Sequence, residues 1–158
     1  MESKSNVKVQ TALAPVPIAM VSCGNELNSN ITTIAWTGII NSEPPLVYVS
    51  IRPTRHSYSI IKELKEFVIN IPDEKLVFEA DFCGTKSGKE IDKFKEAKLT
   101  KQKAKIVNVP LIKECPINIE CKVKEIKKLG SHDMLIGEIV AVNANNEARD
   151  LKDLQRAA

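Results

Sequence analysis

The segment Pro17-Ile18-Ala19-Met20-Val21-Ser22-Cys23 is followed by Gly24-Asn25 and then by Asn28-Ser29-Asn30-Ile31-Thr32-Thr33-Ile34. The first run is apolar and bounded by proline and glycine, which is typical of a buried β-strand. Gly24-Asn25 is a turn pair, and the run after it is rich in β-branched residues. The sequence therefore predicts a β-hairpin of antiparallel strands over residues 17–34.

Strand patterns recur beyond this hairpin. Apolar runs over 46–51 and 67–71 predict two more strands, and the prolines at 44, 45 and 72 mark where these strands begin or end. Residues 117–123 alternate between apolar and polar side chains, which is typical of a half-buried strand. After a turn at 127–131, the pattern predicts a long final strand over 133–143.

Three short helices are predicted between the strands. Residues 57–65 place Ile60, Ile61 and Leu64 on one face, with Thr54 or Ser57 as the N-cap. A second helix is predicted to begin near Asp73, and a third at the candidate cap Ser87.

At 158 residues the chain fits one domain, with its core at about 10–145 and a polar carboxyl-terminal tail. The expected fold class is α+β, with an antiparallel barrel and helices between its strands.

Composition argues against several classes of function. The net charge is only +3, and the lysine clusters are interleaved with acidic residues, so nucleic-acid binding is not supported. No apolar run reaches the roughly 20 residues of a membrane span, and the polar start Met1-Glu2-Ser3-Lys4-Ser5 predicts no secretory signal. The four cysteines form no Cys-x-x-Cys pair and no zinc spacing, and their neighbours are mostly apolar, so we expect buried, reduced thiols, no metal site and a cytoplasmic protein. Cys83 lies in a polar segment, and its reactivity stays open.

Two arginines follow the strand at 46–51 and precede a predicted helix. Guanidinium groups bind phosphate oxygens in pairs, and a helix amino terminus adds free N–H groups with partial positive charge. The sequence therefore predicts a phosphate site at Arg52 and Arg55, with Ser50, Thr54 and Ser57 as hydroxyl donors. The alternative is a pair of surface arginines beside an ordinary helix cap.

The segment from Asn30 to Gly38 surrounds the chain's single tryptophan, Trp36, with short polar side chains. Asn30, Thr32, Thr33 and Thr37 could hydrogen-bond a polar ring edge by side chain or backbone, and Trp36 could pack against the ring or line its pocket. The alternative is a strand of β-favouring threonines with Trp36 in the core. A flat apolar surface, donors for a ring edge and a phosphate site are together what flavin mononucleotide (FMN) requires.

His132 follows Gly130-Ser131 and precedes the last predicted strand. A histidine at this turn could contact a nicotinamide or deliver a proton near a flavin, and it could equally be an ordinary surface residue. Neither His132 nor His56 has a metal-binding spacing, and no set of residues for nucleophilic catalysis stands out.

The chain resembles the flavin reductase-like, flavoredoxin-type family, whose members bind FMN on a split β-barrel. The resemblance rests on short motifs that fall in order from about Ala14 to Val142. These are Ala14-Pro-Val-Pro-Ile-Ala-Met-Val-Ser22, Asn30-x-Thr-x-x-Ala-Trp36-Thr-Gly38, Glu43-Pro44-Pro45, Ser50-Ile51-Arg52-Pro53-x-Arg55-x-Ser57-Tyr58, Phe67-Val68-Ile69-Asn70, Ser87-Gly88-Lys89-x-x-Asp92-Lys93-Phe94 and Ser131-His132-x-x-Leu135-Ile136-Gly137-Glu138.

The resemblance implies roles for individual residues. Asn30, Thr32 and Trp36 would lie beside the isoalloxazine ring, with Thr33, Ala35 and Thr37 of the same segment as further cofactor contacts. The ribityl phosphate would be held by Ser50, Arg52, Arg55 and Ser57. Lys89 would approach the flavin, and His132 would lie near the face where a nicotinamide docks. A homodimer with FMN near the subunit interface is also implied.

The expected function is an NAD(P)H-dependent flavin reductase that carries FMN. One alternative is a flavoredoxin-like electron carrier whose flavin is reduced by another protein, and a second is a barrel that has lost its cofactor and serves as an interaction module. Members of the family often extend past the last strand with a tail that can close over the flavin. This sequence ends soon after that strand, at Leu154-Gln155-Arg156-Ala157-Ala158, so an incomplete pocket is expected. The choice between NADH and NADPH and the identity of the electron acceptor stay open.

Overall fold

The computed structural model describes residue 5 and residues 8–148. The polar tail predicted beyond residue 148 lies outside these residues, and so does most of the amino-terminal segment, for which no secretory signal is predicted. The chain forms nine strands, three α-helices and two short 3-10 helices within the described residues. In chain order these are β1 Ala19–Gly24, β2 Ser29–Ile34, β3 Thr37–Ser42, β4 Pro45–Ile51, α1 His56–Leu64, β5 Glu66–Ile71, a 3-10 turn Glu74–Leu76, α2 Val77–Thr85, α3 Lys93–Glu96, β6 Lys101–Gln102, β7 Leu111–Ile112, β8 Ile117–Lys128, β9 Asp133–Ala144 and a 3-10 turn Asn146–Ala148.

The main sheet has seven strands in the order β2-β1-β5-β8-β9-β4-β3, and its neighbouring strands are antiparallel. Its two edge strands, β2 and β3, are consecutive in the chain and joined only by Ala35 and Trp36. A flat sheet of this order would separate its edges by about 29 Å, whereas the two-residue connection spans at most about 11 Å. The sheet must therefore curl until its edges meet, which confirms the predicted antiparallel barrel with a split between β2 and β3.

Apolar side chains fill the barrel. Phe67, Ile61 and Leu135 are fully buried in the main cluster, together with residues of β1 and β4. Gly137 of β9 makes room for Phe67, because a Cβ atom at position 137 would lie 2.7 Å from its ring. A second cluster joins β1 and β2 to α2 and α3 outside the barrel, and includes Met20. The helices are thus fastened to the β1–β2 hairpin, beside the split.

Most predicted elements are confirmed, and the β1–β2 hairpin pairs Ala19 with Ile34 and Gly24 with Ser29. Asp73 caps its helix as predicted, since its Oδ1 accepts a hydrogen bond from the Lys75 N–H at 3.0 Å. Strands β3, β6 and β7 were not predicted. The two β6–β7 segments are only two residues long, and β3 includes the polar pair Asn41-Ser42.

Two predicted helix caps are wrong. Helix α1 begins after Arg55, which makes no side-chain capping bond, so neither Thr54 nor Ser57 is the N-cap. The third helix does not begin at Ser87; residues 87–91 form turns, and α3 begins after Asp92, whose carboxylate accepts the Lys95 N–H at 3.2 Å.

All four cysteines are buried and free. Burial raises the pKa of the Cys83 thiol to about 11, against a smaller opposing effect of Lys93, which disfavours the reactive thiolate form at neutral pH. Among residues 8–148 no helix combines the length and the apolar character needed to cross a bilayer.

A buried carboxylate fastens the connection between β6 and β7 to the sheet. Glu120 of β8 is fully buried, and its oxygens accept the N–H groups of Lys105, Ile106 and Val107 at 2.7–3.0 Å and the Asn143 amide at 2.8 Å. Burial opposes ionisation, but these four donors outweigh it and hold the pKa of Glu120 below its ordinary value of 4.5.

We predict that Glu120→Gln lowers the free energy of unfolding by about 3 kcal/mol, because the new amide group faces N–H donors. Urea denaturation at pH 7 measures the change, and Glu125→Gln on the exposed side of the same strand is the control. Since the folded-state pKa is depressed, the stability from Glu120 is present above pH 4.5 and is lost as the pH falls through the folded pKa. An effect no larger than that of the control, or one that grows in acid, would contradict this.

Candidate functional site

Two adjoining cavities open beside the split, and both are lined by Thr32, Arg52, Arg55 and Gly84. The first, here called the cationic cavity, has a volume of about 250 Å³ and is completed by Asn30, Thr54, His56, Ser57, Lys86, Ser87, Gly88, Lys89 and Lys93. The second, the seam cavity, has a volume of about 210 Å³ and is completed by Thr33, Ile34, Ala35, Trp36, Ser50, Ile51 and His132.

The structure therefore brings together nearly all of the residues that the sequence suggested. The predicted ring contacts Thr32, Thr33, Ala35 and Trp36 line the seam cavity with His132, and Ser57 and Lys89 line the cationic cavity. Two residues lie at the other end from the one predicted: Asn30, a predicted ring contact, lines the cationic cavity, and Ser50, a predicted phosphate ligand, lines the seam cavity. Thr37 lines neither cavity, because its Oγ1 donates to the Tyr48 carbonyl at 2.6 Å within the β3–β4 pair.

Helix α1 points its amino terminus at the cationic cavity. Arg55 precedes the helix in an extended conformation, and the first turn has neither a side-chain cap nor an acidic residue. The first N–H groups of a helix lack intrahelical partners and carry partial positive charge. Because His56 and Ser57 of this turn line the cavity, the helix terminus adds to the positive potential of Arg52 and Arg55.

Lys93 is the functional candidate that the sequence reasoning missed. Its side chain is 4% exposed, and its Nζ donates to the carbonyls of Ile31 and Cys83 at 2.7 and 2.6 Å. Burial, and to a lesser extent the charge of Arg55, lowers the pKa of Lys93. The signal in the sequence that could have identified Lys93 was its position within the Asp92-Lys93-Phe94 motif. Helix periodicity alone predicts that such a lysine lies on the protein surface.

Among residues 8–148, no carboxylate forms an ion pair with this cluster of positive charge. Within the described part of the chain the only ion pair joins Lys124 to Glu138, on the β8–β9 surface. An ammonium group has three donors, and carbonyls accept from two of those of Lys93. The cationic cavity is thus electrostatically suited to a compact anion.

The loop after α2 closes one side of the cationic cavity by lying directly on β2. A Cβ atom at Gly88 would lie 2.1 Å from the Asn30 Oδ1, so a larger residue at this position would have to displace the Asn30 side chain. The amide of Asn30 is held from the other side, since its Nδ2 donates to the Ser57 Oγ at 2.8 Å. Asn30 therefore links the loop to the first turn of α1.

Trp36 and His132 pack against each other in the wall of the seam cavity. Their ring centroids are 4.6 Å apart, with an interplanar angle of 50°. Trp36 is 41% exposed, so it is a wall of the cavity and not part of the core. The Ser50 N–H donates to the Trp36 carbonyl at 2.9 Å and anchors this connection to β4.

The surroundings of His132 favour its neutral form. Its burial, followed by the charges of Arg52 and Arg55, lowers its pKa from the ordinary value of 6.5. The Ser131 Oγ lies 3.0 Å from its Nδ1. The next residue in the chain, Asp133, is buried, and its carboxylate accepts a hydrogen bond from the Tyr58 hydroxyl at 2.6 Å. This hydrogen bond joins α1 to the start of β9. This hydrogen bond also raises the pKa of Tyr58.

The combined cavities have two chemically different ends. The cationic end suits a phosphate, and the seam end offers an aromatic side chain, backbone and hydroxyl donors, and a neutral imidazole. Among residues 8–148 no group of three or more His, Cys, Asp or Glu side chains could hold a metal ion.

Comparisons with known proteins agree with this geometry. A family model, the flavin reductase like domain, matches residues 11–157. An uncharacterised protein of Archaeoglobus fulgidus is 34% identical over 140 residues, which cover 89% of this chain and 78% of that protein.

Two solved structures extend the similarity to three dimensions. The flavoredoxin of Desulfovibrio vulgaris (Miyazaki F) has a TM-score of 0.86 and 33% identity, over 92% of this chain and 79% of its own. The flavoredoxin from Methanosarcina acetivorans has a TM-score of 0.81 and 25% identity, over 90% and 77% of the two chains. The predicted family and its split-barrel fold are confirmed: the chain belongs to the flavin reductase-like family.

Proposed function

We propose that this protein binds FMN across the two cavities and acts as an NAD(P)H-dependent flavin reductase. The observation that supports it most is the cationic cavity, where Lys93, Arg52, Arg55 and the uncapped end of α1 meet and no carboxylate of the described residues forms an ion pair with them. A phosphate is the anion that such a site suits best, and the adjoining seam cavity leaves room for an attached ring.

The residues present fit FMN at both ends. Arg52, Arg55 and Ser57 would hold the phosphate, with Lys93 and Lys89 neutralising its charge. Thr32, Trp36 and the backbone of Ala35 would line the ring. Bound FMN supplies the ability to accept a hydride and pass electrons on, while the protein holds it and shapes access to it.

His132 would orient the nicotinamide of NADH or NADPH. It lies at the seam beside Trp36 and in its neutral form can both donate and accept a hydrogen bond. The Tyr58–Asp133 hydrogen bond holds the start of β9, and therefore fixes the position of His132 relative to the arginines.

The reductase proposal is tested by recording the visible spectrum of the purified protein and then adding NADH or NADPH without oxygen. We expect the visible absorbance of the bound flavin to disappear after the nucleotide is added, on the timescale of catalytic turnover. A loaded flavin that fails to bleach with either nucleotide contradicts reductase activity. A colourless protein that shows no thermal shift with FMN contradicts cofactor binding itself and favours the interaction-module alternative.

A flavoredoxin-like electron carrier is the second candidate, favoured by the structural similarity to the two flavoredoxins. In that case another protein reduces the flavin, and direct oxidation of nicotinamide nucleotides is negligible. We further propose a homodimer, and a cytoplasmic location that the four free, buried thiols support.

We predict that Arg52→Ala and Arg55→Ala each weaken FMN binding about tenfold to a hundredfold, because each removes charge-assisted hydrogen bonds of about 1.5–3 kcal/mol. Fluorescence titration of the apoprotein measures the dissociation constants. Lys62→Ala, on the exposed side of α1, removes the same charge outside the cavity and is the control. FMN affinity that survives loss of both arginines would show that the phosphate is held elsewhere.

We predict that His132→Ala slows reduction of the bound flavin by NAD(P)H at least about tenfold while FMN affinity changes little. Stopped-flow absorbance separates the two effects, and His132→Gln, which retains a donor and an acceptor, should recover part of the rate. Because the pKa of His132 is lowered, the rate that depends on it should be constant from pH 7 to 8 and change only below about pH 6.5. An unchanged rate in His132→Ala would favour the carrier.

A further inference from the structure

A groove rich in lysines lies between α1 and β8, apart from the two cavities of the functional site. It has a volume of about 350 Å³ and is here called the lysine groove. Its lining residues are Tyr58, Lys62, Lys65, Val123, Lys124, Glu125, Ile126 and Lys128. Four lysines and one glutamate leave this lining with a net charge of +3. The lysine groove is therefore a second concentration of positive charge, and the proposed binding of FMN does not use it.

Most lysines of this groove have no carboxylate partner among the described residues. Lys124 is the exception, since its Nζ lies 2.7 Å from the Glu138 carboxylate in the one ion pair of the described chain. The side chains of Lys62, Lys65 and Lys128 are exposed and form no such pair there. Because like charges repel, an anion that lies between these ammonium groups would lower the electrostatic energy of the groove.

Backbone contacts and apolar packing give the lysine groove a fixed floor. Lys65 ends α1 in the left-handed conformation, and its N–H donates to the Ile61 carbonyl at 2.8 Å. The Lys65 carbonyl accepts the Val123 N–H at 2.8 Å, so the end of α1 is joined to β8. The half-buried side chains of Val123 and Ile126 pack against the core of the barrel. An apolar floor with a cationic rim suits a flat ring that carries a phosphate.

Strand pairing places the lysine groove close to the seam cavity. Lys128 is the Cα partner of Asp133 in the β8–β9 pair, and His132 directly precedes Asp133. The Cα atoms of Lys128 and His132 are therefore at most about 9 Å apart. Tyr58 lines the lysine groove and donates its hydroxyl hydrogen bond to Asp133. One dinucleotide could thus contact His132 at one end and the lysine groove at the other.

The charge of the groove bears on the choice between the two nicotinamide nucleotides. Both have a pyrophosphate, but only NADPH has a further phosphate on the adenosine ribose, which adds a charge of about −1.5 to −2 at pH 7. Under the proposed function the FMN phosphate occupies the cationic cavity, so that cavity is not open to the adenosine end of the nucleotide. The lysine groove offers this end a separate cationic site.

We propose that the lysine groove binds the adenosine 2′-phosphate of NADPH while the nicotinamide lies at His132, so that the protein prefers NADPH to NADH. Lys65 and Lys128 would contact the phosphate, and the adenine would pack on Val123 and Ile126. This inference rests on the proposed reductase function and deepens it, because it assigns a coenzyme preference that the sequence motifs leave open.

The first test compares the two nucleotides as reductants of the FMN-loaded protein without oxygen. At low ionic strength the KM for NADPH is expected to be about tenfold lower than the KM for NADH. The double variant Lys65→Gln/Lys128→Gln should raise the KM for NADPH about tenfold and leave kcat and the KM for NADH nearly unchanged. Lys103→Gln/Lys113→Gln removes the same charge at exposed positions outside the groove and is the matched control. Equal KM values for the two nucleotides, or a double variant that weakens both alike, overturns the proposal.

The second test measures binding without catalysis, by calorimetric titration of the protein in excess FMN. The probes are 2′,5′-ADP and ADP, which have similar charge but differ in the 2′-phosphate. We expect 2′,5′-ADP to bind about tenfold more tightly than ADP, and this preference should disappear in Lys65→Gln/Lys128→Gln but persist in the control variant. Equal affinities for the two probes in the unsubstituted protein would show that the groove recognises charge alone, and the proposal would be wrong.

The two tests separate the groove from the function on which it rests. Lysine-dependent binding of 2′,5′-ADP to a protein whose flavin NADPH does not reduce would refute the reductase function alone. Flavin reduction by NADH and NADPH with equal KM values would refute the lysine groove alone.

Discussion

The two-residue connection between the edge strands governs the architecture. Because only Ala35 and Trp36 join β2 to β3, the seven-stranded sheet has to curl until its edges meet. The curl places the connection itself at the split, where Trp36 is held open to solvent and packs against His132. The barrel and the seam cavity are thus consequences of the same short connection.

Positive charge that pairs with no carboxylate of the described residues is the second feature, and the proposed function depends on it. Lys93 is buried against two backbone carbonyls and faces the same cavity as Arg52 and Arg55. Burying an ammonium group is costly unless it is hydrogen-bonded and neutralised. Carbonyls satisfy part of this requirement, and a phosphate would satisfy the rest. An anionic ligand would therefore lower the electrostatic energy of this site, and this gives the proposed binding of a phosphate a physical reason beyond the shape of the cavity.

Local patterns predicted the parts of the molecule that depend on local chemistry. The β1–β2 hairpin, the cap at Asp73 and the arginines after β4 follow from turn residues, side-chain hydrogen bonding and charge near one another in the chain. The parts that were missed depend on distant contacts. Lys93 resembles a surface lysine until α3 packs against β2, and β3 becomes a strand because β4 pairs with it. Thr37 was predicted to contact the cofactor because the sequence does not show where its hydroxyl donates. In the structure the hydroxyl donates to the carbonyl of Tyr48, which lies on another strand.

The comparison of FMN with riboflavin, which lacks the phosphate, tests the central claim most directly. Titration of the apoprotein with each compound at low and high salt measures how much of the affinity the cationic cavity supplies. FMN is expected to bind at least about a hundredfold more tightly than riboflavin at low ionic strength, with a smaller difference as salt screens the site. Equal affinities for the two compounds, at any salt concentration, would contradict a phosphate site built from Lys93, Arg52 and Arg55.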